Sequence, residues 1–401
     1  MVKALDGIRV LEWGTVIQGP VAGTILGDLG AEVIKIEKPG GHRSRSTGTV
    51  IAHQRDMSRE QLLSSVAVNR SKKSITIDLK QKKGQEIVHR LAAKADVFVT
   101  NFSKQLATRL DLDYGCLSRL NRGLIYATAS GLGPKLTEKP YFDAAAQARS
   151  GLMMCLGDRD DDPSMMVGSN IDVLSGTLCA MGIVVAILAR ERLGIGQEID
   201  TSLFNSAIWL QMAAIPGSLG RGRAIPKHSR TRAEPLLTHY QCKDGKWLLI
   251  FEGSEEYWHE FCAVMGLEHL ENDPRFHNRQ ARRGHREECI SILSDAFATK
   301  DRIEWLRIFR EQKVGFLYEA VQDALDLPAD PVVAENEYLV DREHPVLGAI
   351  KLVPFPVKFS ETAAEVWNTG PELGEHTEQV LSEVGDYRQD EIEGFKEGGV
   401  V

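Results

Sequence analysis

Asp172 stands at the start of a long apolar stretch, where an aspartate carboxylate could serve as a nucleophile. Asn170 has a side chain suited to an N-cap, so the sequence predicts a helix that begins here. Asp172 would then lie in the first helical turn, where the helix dipole favours the ionised form that a nucleophile needs. The same position also serves plain helix stabilisation, and taken alone it favours that structural role. By position alone, nothing marks Asp143 or Asp200 as a catalytic residue either.

A second candidate is the turn at residues 14–20, which follows a short strand predicted at residues 8–13. Ligands of doubly wound folds bind at the carboxyl ends of strands, and N–H groups at a helix start can hold an anion or a carbonyl oxygen. Gln18 could donate to a substrate oxygen, or it could be a solvated amide in a tight turn, which spacing alone favours. The pattern Gly-x-Gly-x-x-Gly is absent, so a dinucleotide site is poorly supported.

Basic residues cluster between the second and third predicted strands. A ligand with several phosphates needs such groups as charge-assisted partners. A run of charge is more often a solvated surface, and the sequence alone favours that interpretation. The seven residues are Arg43, Arg45, Arg55, Arg59, Arg70, Lys72 and Lys73.

Composition excludes several classes of protein. The formal net charge of −8 over 401 residues argues against a general nucleic-acid binder. The six cysteines form no Cys-x-x-Cys pair and join no histidine at zinc-ligand spacing, which predicts reduced thiols and no metal site. The first residues lack an apolar signal core, and no stretch approaches about 18 uninterrupted apolar residues. We therefore expect a cytoplasmic protein with neither a membrane nor a nucleic acid as its partner.

Short strands alternate with helices through the first 130 residues, and this alternation predicts an α/β fold with a doubly wound parallel sheet. Helices are expected at residues 21–29 and 85–93. Strands are expected at residues 8–13, 33–36, 74–79, 96–99 and 124–127.

Two apolar helices are expected next, at residues 171–192 and 202–215, with a short strand at residues 198–200 between them. The following stretch, residues 216–232, is rich in Gly, Pro and Arg and predicts a linker. A hairpin and a helical region then predict a smaller α+β domain. Residues beyond about 331 have loop character, apart from one short capped helix at residues 374–384.

An ordered set of short motifs spans nearly the whole chain, and as a set it resembles the class III CoA-transferase family, which includes formyl-CoA and carnitine CoA-transferases. The motifs lie at residues 5–12, 27–37, 69–75, 95–97, 101–102, 126, 130–131, 142–143, 147–148, 150–151, 172, 182, 189–192, 194–197, 273–276 and 370–377.

The resemblance implies a fold and an assembly. It implies a Rossmann-like large domain built from both chain ends, an inserted small α+β domain, and two chains interlocked as a homodimer, with a hetero-oligomer as the alternative. The expected division is residues 1–215 for the first part of the large domain, 216–232 for a linker, 233–330 for the small domain and 331–401 for a linker and the return to the large domain.

The resemblance also implies site residues and a mechanism. Asp172 matches the catalytic aspartate, which would carry the acyl group as a mixed anhydride and then CoA as a thioester. Gln18 matches a glutamine near the reacting carbonyl, and Asp143 an acidic position near the site. No prosthetic group is expected; CoA enters as part of the acyl-CoA substrate. The positions that match the lining of the CoA nucleotide are Lys72, Asn101, Phe102 and Arg109.

Three departures from the family pattern bear on the site. Residues 103–105 (Ser-Lys-Gln) replace a Pro-Gly turn after Asn101-Phe102. The loop at residues 251–254 has one glycine, Gly253, where many members have a glycine-rich cover, and Glu252 could reach the site or cap the next helix. The loop at residues 131–140 lacks the usual glycine-glutamine pattern.

Two rival functions remain open at this point. A 2-methylacyl-CoA racemase would need an acid and a base beside the α-carbon, and such enzymes usually carry His where Phe142 stands. A non-catalytic acyl-CoA-binding subunit would have no need of Asp172.

The acids that accept and donate CoA are not readable from the sequence. Arg43 and Arg45 make a dicarboxylate compatible with the site. Five apolar side chains could shape an acyl pocket or belong to the core, and the core is favoured. They are Trp13, Met153, Met154, Trp209 and Met212.

Overall fold

The computed structural model describes residues 2–42, 57–136 and 141–401. Internal contacts divide this chain into two units. The first unit comprises Met1–Met154, Met165–Ala224 and Glu337–Val401, and the second comprises Cys155–Ser164 and Ile225–Asn336. Residues 155–164 thus group with the second unit, although the sequence placed them in the large domain.

The first unit contains a six-stranded sheet in which every neighbouring pair of strands is parallel. The strand order is β3-β2-β1-β4-β5-β6: the chain first adds strands on one side of β1 and then, from β4 onward, on the other side. The predicted α/β fold with a parallel sheet is confirmed. The strands are β1 (Arg9–Trp13), β2 (Glu32–Glu37), β3 (Lys73–Thr76), β4 (Val97–Thr100), β5 (Ile125–Ser130) and β6 (Gln197–Ser202).

Alternating residues of the central strands fill a separate core on each face of the sheet. Val10 and Val33 pack on one face, while Leu11 and Ile34 pack on the other, as the two-residue period of a strand requires. Helices cover both faces. The helices of this part of the chain are α1 (Gln18–Asp28), α2 (Met57–Asn69), α3 (Lys82–Ala92), α4 (Lys104–Arg109), α5 (Tyr114–Leu120), α6 (Asp143–Arg149), α7 (Asn170–Leu193), α8 (Leu203–Trp209) and α9 (Ile215–Arg221).

The second of the two expected apolar helices is shorter than predicted. It ends at Trp209, and α9 then begins at Ile215 inside the stretch that the sequence assigned to a linker. Pro216 near the start of α9 suits the first turn of a helix, where its missing N–H costs nothing. Pro and Gly residues in this stretch therefore begin and end a helix rather than prevent one.

Helix α7 is the longest helix in the described part of the chain. Among those residues it is the one helix long and apolar enough to cross a membrane by length and composition, a test that core helices of soluble proteins also pass. The sequence analysis expected no run of about 18 uninterrupted apolar residues, and Ser175 and Thr177 interrupt the apolar run of this helix. One face of α7 is buried, at positions such as Gly176, Cys179 and Ile183, and the opposite face is exposed at Met181 and Val185.

Gly176 allows α7 to pack closely on α1. A Cβ at this position would lie 2.6 Å from the Gln18 carbonyl oxygen and 2.7 Å from Val21 Cβ. Gly182 on the same helix is different, because its nearest neighbour would be the Ile199 side-chain end at 3.2 Å.

Gly176→Ala is therefore expected to lower the free energy of unfolding by about 1–3 kcal/mol, because the two helices must move apart. Gly182→Ala is the matched control, since both variants gain the same helix propensity of about 1 kcal/mol. Urea unfolding followed by circular dichroism measures both. Equal stability of the two variants would contradict the close contact.

The segment after residue 337 returns to the first unit and bonds to its edge strand β3. Thr76 N–H donates to Thr377 Oγ1 (3.0 Å), and His376 N–H donates to the Ser74 carbonyl (2.9 Å). The loop character expected here is wrong in two places: a hairpin and a further helix are present. The elements are β10 (Val340–His344), β11 (Gly348–Leu352), α15 (Thr377–Glu383) and α16 (Gln389–Glu397).

The second unit combines an antiparallel three-stranded sheet with helices around an aromatic core that includes Phe261, Phe297 and Trp305. The hairpin expected from the sequence is the pair β7 and β8. Its elements are β7 (Leu237–Gln241), β8 (Trp247–Phe251), α10 (Tyr257–Met265), α11 (Arg279–Gly284), α12 (Arg286–Phe297), α13 (Arg302–Glu311), β9 (Tyr318–Val321) and α14 (Pro331–Glu335).

Candidate active site

A cavity of about 410 Å³ opens in the first unit at the carboxyl ends of β1, β4 and β5. This is the point where the strand order reverses, and open α/β sheets bind ligands there. The lining comes from the segment after β1, the loops after β4 and β5, and the start of α7. It includes Thr15, Val16, Gln18, Asn101, Phe102, Lys104, Asp113, Tyr126, Phe142, Asp172, Glu198 and Asp200.

Asp172 reaches this cavity from the first turn of α7. Burial raises the pKa of its carboxyl group to about 7, and the nearby charge of Asp143 adds to the shift. The sequence analysis expected the helix dipole to keep this carboxylate ionised. That expectation is corrected, because loss of hydration outweighs the dipole. Near pH 7 the group is divided between its protonated and ionised forms.

Asp143 caps the helix that carries Asp172. Its Oδ2 accepts hydrogen bonds from the backbone N–H groups of Ile171 (2.6 Å) and Asp172 (3.0 Å), and its Oδ1 accepts from Gln147 Nε2 (2.5 Å). The prediction that Asn170 is the N-cap is wrong, because Asn170 is already helical and its side chain donates to the Val167 carbonyl. Asp143 thus fixes the start of α7 and places a second charge beside Asp172.

Gln18 lies at the start of α1 and lines the cavity, but its amide group is engaged within the protein. Gln18 Nε2 donates to the Ser130 carbonyl (3.0 Å) and to Ser175 Oγ (2.8 Å). Both amide hydrogens are therefore in use, and the expected donation to a substrate oxygen would require one of these bonds to break. In this structure Gln18 ties α1 to β5 and α7.

Asn101 follows β4 and holds the segment after β1. Its Oδ1 accepts from Thr15 N–H (2.9 Å), and its Nδ2 donates to the Thr15 carbonyl (2.7 Å). Phe102 lines the cavity next to it and packs against Trp13, with ring centroids 4.5 Å apart and ring planes tilted by 36°. The structure therefore brings Asp172, Gln18, Asn101 and Phe102 to one cavity.

Lys72 and Arg109 lie elsewhere. Lys72 is completely buried, with Nζ 2.6 Å from Glu12 Oε2 and hydrogen bonds to the carbonyls of Pro20 and Val68. Burial lowers the pKa of Lys72 to about 7 against the opposing pull of Glu12. Arg109 is exposed at the end of α4 and is outside the cavity lining. Neither residue is among those that line this cavity, and their expected contact with the CoA nucleotide stays a prediction.

The rest of the basic cluster offers no free cation among its described side chains. Arg70 pairs with Asp28 (2.8 Å) and Lys73 pairs with Glu32 (2.8 Å). Arg43, Arg45 and Arg55 lie outside the described residues, as does the side chain of Arg59. Lys104 is the single cationic side chain in the described cavity lining.

Sequence reasoning missed an acidic wall in the cavity. Asp113, Glu198 and Asp200 line it together with Asp172. Partial loss of hydration raises the pKa of Asp200 to about 6, although Ser130 Oγ contacts its Oδ1 at 3.4 Å. The strand pattern could have indicated Asp200, because β6 runs parallel to β5 and Asp200 lies near its carboxyl end, at the edge of the sheet where the cavity opens.

Gly253 lies in the second unit, in the loop after β8. Its carbonyl accepts a hydrogen bond from Arg279 Nη1 (3.0 Å). The neighbouring Glu252 accepts from Ser254 N–H (2.6 Å), so its side chain stabilises its own loop and does not cap α10.

Of the apolar candidates for an acyl pocket, Trp13 is buried in the core as the sequence favoured. Met154, Trp209 and Met212 are more than half exposed, so the core assignment is wrong for them. None of the five apolar candidates belongs to the described lining of the cavity.

Solved structures and a sequence family identify the fold and the class of this chain. A CaiB/BaiF family protein from Brucella suis shares the fold with a TM-score of 0.86 and 27% sequence identity, over 96% of this chain and 100% of that chain. The sequence pattern of CoA-transferase family III matches residues 5–377. The chain belongs to CoA-transferase family III and is an enzyme of that class.

Two relatives show the range of the family. The (R)-2-hydroxy-4-methylpentanoate CoA-transferase of Clostridioides difficile is 30% identical over 401 residues, which cover 99% of each chain. The succinyl-CoA:glutarate CoA-transferase of Mus musculus is 31% identical over 405 residues, which cover 100% of this chain and 90% of the relative. Their names give different acids, so similarity establishes the class of reaction and leaves the acids open.

Proposed function

We propose that this protein moves CoA from an acyl-CoA to a free carboxylic acid, with Asp172 as the covalent carrier. The observation that carries the proposal is the placement of the Asp172 carboxyl group in the cavity at the switch point of a family III CoA-transferase sheet. In this proposal CoA binds in the cavity, and its nucleotide lies against the part of the wall formed by Asn101, Phe102 and Lys104.

The reaction proceeds by four exchanges at acyl carbon. An Asp172 carboxylate oxygen attacks the thioester carbon, the C–S bond breaks, and CoA thiolate is released. The donor acyl group is then joined to Asp172 as a mixed anhydride. The thiolate attacks the aspartyl carbonyl, which releases the donor acid and forms an aspartyl-CoA thioester. The acceptor carboxylate attacks the carbonyl carbon of that thioester, the C–S bond breaks, and CoA thiolate is released again as a second anhydride forms. The thiolate then attacks the acceptor's acyl carbon and frees Asp172, with no net proton transferred.

The poor hydration of Asp172 supports this role. A carboxylate that has already lost water attacks an acyl carbon without first shedding a hydration shell. The same burial limits access of water to the anhydride, whose hydrolysis would waste the thioester.

Racemisation at the α-carbon is less well supported. It needs an acid and a base on opposite sides of that carbon, and no histidine occurs among the described residues that line the cavity. Phe142 occupies the position where the racemases usually carry His, and Asp143 is committed to the cap of α7.

We further propose that the protein is cytoplasmic and forms an interlocked homodimer, with a hetero-oligomer as the alternative. Each chain would carry an inserted small domain, as the resemblance implies. Support comes from the apolar face of α7, where Met181, Val185 and Leu188 are each more than half exposed in the single chain. Apolar patches of this kind mark association surfaces. Light scattering of the purified protein would test the mass of the assembly.

The decisive experiment pairs an adduct search with a substrate panel. The protein is incubated with each acyl-CoA, quenched in acid and digested, and the peptide containing Asp172 is examined by mass spectrometry for a CoA adduct. Free mono- and dicarboxylic acids are then supplied and new acyl-CoA thioesters are measured. Exchange together with the adduct supports the proposal, whereas racemisation without exchange would favour the rival.

A further inference from the structure

Three charged side chains lie buried together behind the cavity wall, and the proposed chemistry uses none of them. They are Glu12 on β1, Lys35 on β2 and Lys72 just before β3, and their side chains are 0%, 5% and 0% exposed. Strand register brings two of them together, since Glu12 is the direct partner of Lys35 in the parallel pair. We call these three residues the buried clamp.

Glu12 joins the two lysines. Lys35 Nζ donates to Glu12 Oε1 at 2.5 Å, and Lys72 Nζ lies 2.6 Å from Glu12 Oε2 in an ionic contact. The charge of a further acidic neighbour, Glu37, favours the charged form of Lys72. Burial of charge in a sheet is costly, and apolar residues of similar volume would often give equal or greater stability. The stability of the sheet therefore does not by itself account for the buried clamp.

Each lysine also holds one end of the segment at residues 14–20, which runs from the end of β1 into the first turn of α1. Lys35 Nζ donates to the carbonyl of Gly14 (3.1 Å), and Lys72 Nζ donates to the carbonyl of Pro20 (2.7 Å). Between these two anchors Val16 has φ of 64°, a conformation that a β-branched residue rarely adopts. Strain of this kind persists only when the surroundings enforce it.

The anchored segment forms part of the cavity wall. Thr15, Val16 and Gln18 all line the cavity into which Asp172 points. Helix α1 also approaches the clamp closely at Gly23, where a Cβ would lie 2.0 Å from Glu12 Oε2. The positions of the clamp charges and of this wall are therefore mechanically coupled.

We propose that Glu12, Lys35 and Lys72 are positioning residues for CoA transfer, which hold the segment at residues 14–20 in the shape that the acyl-CoA requires. The inference rests on the proposed function of Asp172. The clamp residues make no contact with substrate; they act through Gly14 and Pro20 on the wall that orients the reacting thioester.

The test compares clamp variants with a matched ion-pair variant outside the clamp. Lys35→Met and Lys72→Met each remove one anchor and keep the length of the side chain. Arg70→Met is the control, because Arg70 forms a comparably buried ion pair with Asp28 and holds no carbonyl of the segment at residues 14–20. For each folded protein, the rate of aspartyl-CoA adduct formation is measured across acyl-CoA concentrations, together with stability in urea.

Both clamp variants are expected to form the adduct at least about tenfold more slowly at saturating acyl-CoA, because misplacement by about 1 Å can cost a hundredfold in rate. Arg70→Met is expected to lose stability while its saturated rate stays within about twofold of the wild type. Clamp variants that lose stability but keep the wild-type rate would overturn the inference.

A second variant keeps the test decisive if a single lysine variant does not fold. Glu12→Gln combined with Lys35→Met and Lys72→Met removes all three clamp charges, so none of them is left buried without its partner. It is expected to show the same slow adduct formation, and a normal rate would overturn the inference. Failure of the proposed function itself is distinguishable, because the wild-type protein would then form no adduct at all.

Discussion

Asp172→Asn is expected to lower the rate of CoA transfer by at least about a thousandfold, because the amide can form neither the anhydride nor the aspartyl thioester. The substitution keeps the size and shape of the side chain, so CoA binding should remain. Thioester exchange between an acyl-CoA and a free acid measures the loss. Transfer at more than a few per cent of the wild-type rate would contradict the covalent mechanism.

The same variant is expected to be more stable than the wild type at alkaline pH. The pKa of Asp172 is raised in the folded protein, so ionisation of this carboxyl group lowers stability as pH rises toward and through about 7. Asparagine carries no charge and is spared this loss. The difference between the two proteins should grow by about 2 kcal/mol from pH 5 to pH 8, measured by urea unfolding.

The rate of transfer is expected to fall on acidification with a midpoint near pH 7, because the proposed nucleophile is the ionised form of Asp172. Asp143→Asn removes the like charge that adds to this shift and still offers an oxygen to the N–H groups of α7. The midpoint should therefore move to lower pH in that variant. Adduct formation at saturating acyl-CoA, measured from pH 5 to pH 9, gives both profiles.

Asp200→Asn is the matched control for the pH profile. Asp200 lines the same cavity and also has a raised pKa, but it accepts no hydrogen bond from the start of α7. Its replacement should leave the midpoint in place. A wild-type midpoint near pH 4, or identical midpoints for wild type and Asp143→Asn, would show that Asp143 does not tune the nucleophile.

The parallel sheet was predictable because its strands are short apolar runs separated by helices, a pattern that local sequence carries directly. The hairpin of β10 and β11 was missed because its strands carry charged residues, as in Asp341, Arg342 and Glu343. Such strands have one exposed face, and prolines nearby favoured a loop interpretation.

The site was predictable in its location but not in its electrostatics. Residues at the carboxyl ends of β1 and β4, such as Gln18 and Asn101, converge on the cavity with Asp172 as parallel strands require. Burial depends on long-range packing, which the sequence does not reveal. Lys72 was therefore expected at a nucleotide, whereas its side chain is completely buried just before β3. The cap of α7 was missed for the same reason, because Asp143 lies 29 residues before Asp172.

The bonds between β3 and the segment around Thr377 also constrain the order in which the chain can fold during synthesis. About 300 residues separate Thr76 from Thr377, so these bonds to the edge strand cannot form until the ribosome has passed residue 377. Residues 225–336 of the second unit emerge earlier as one continuous stretch. Domains generally fold as units during synthesis, so the second unit can fold before the segment around Thr377 is available to complete the first unit.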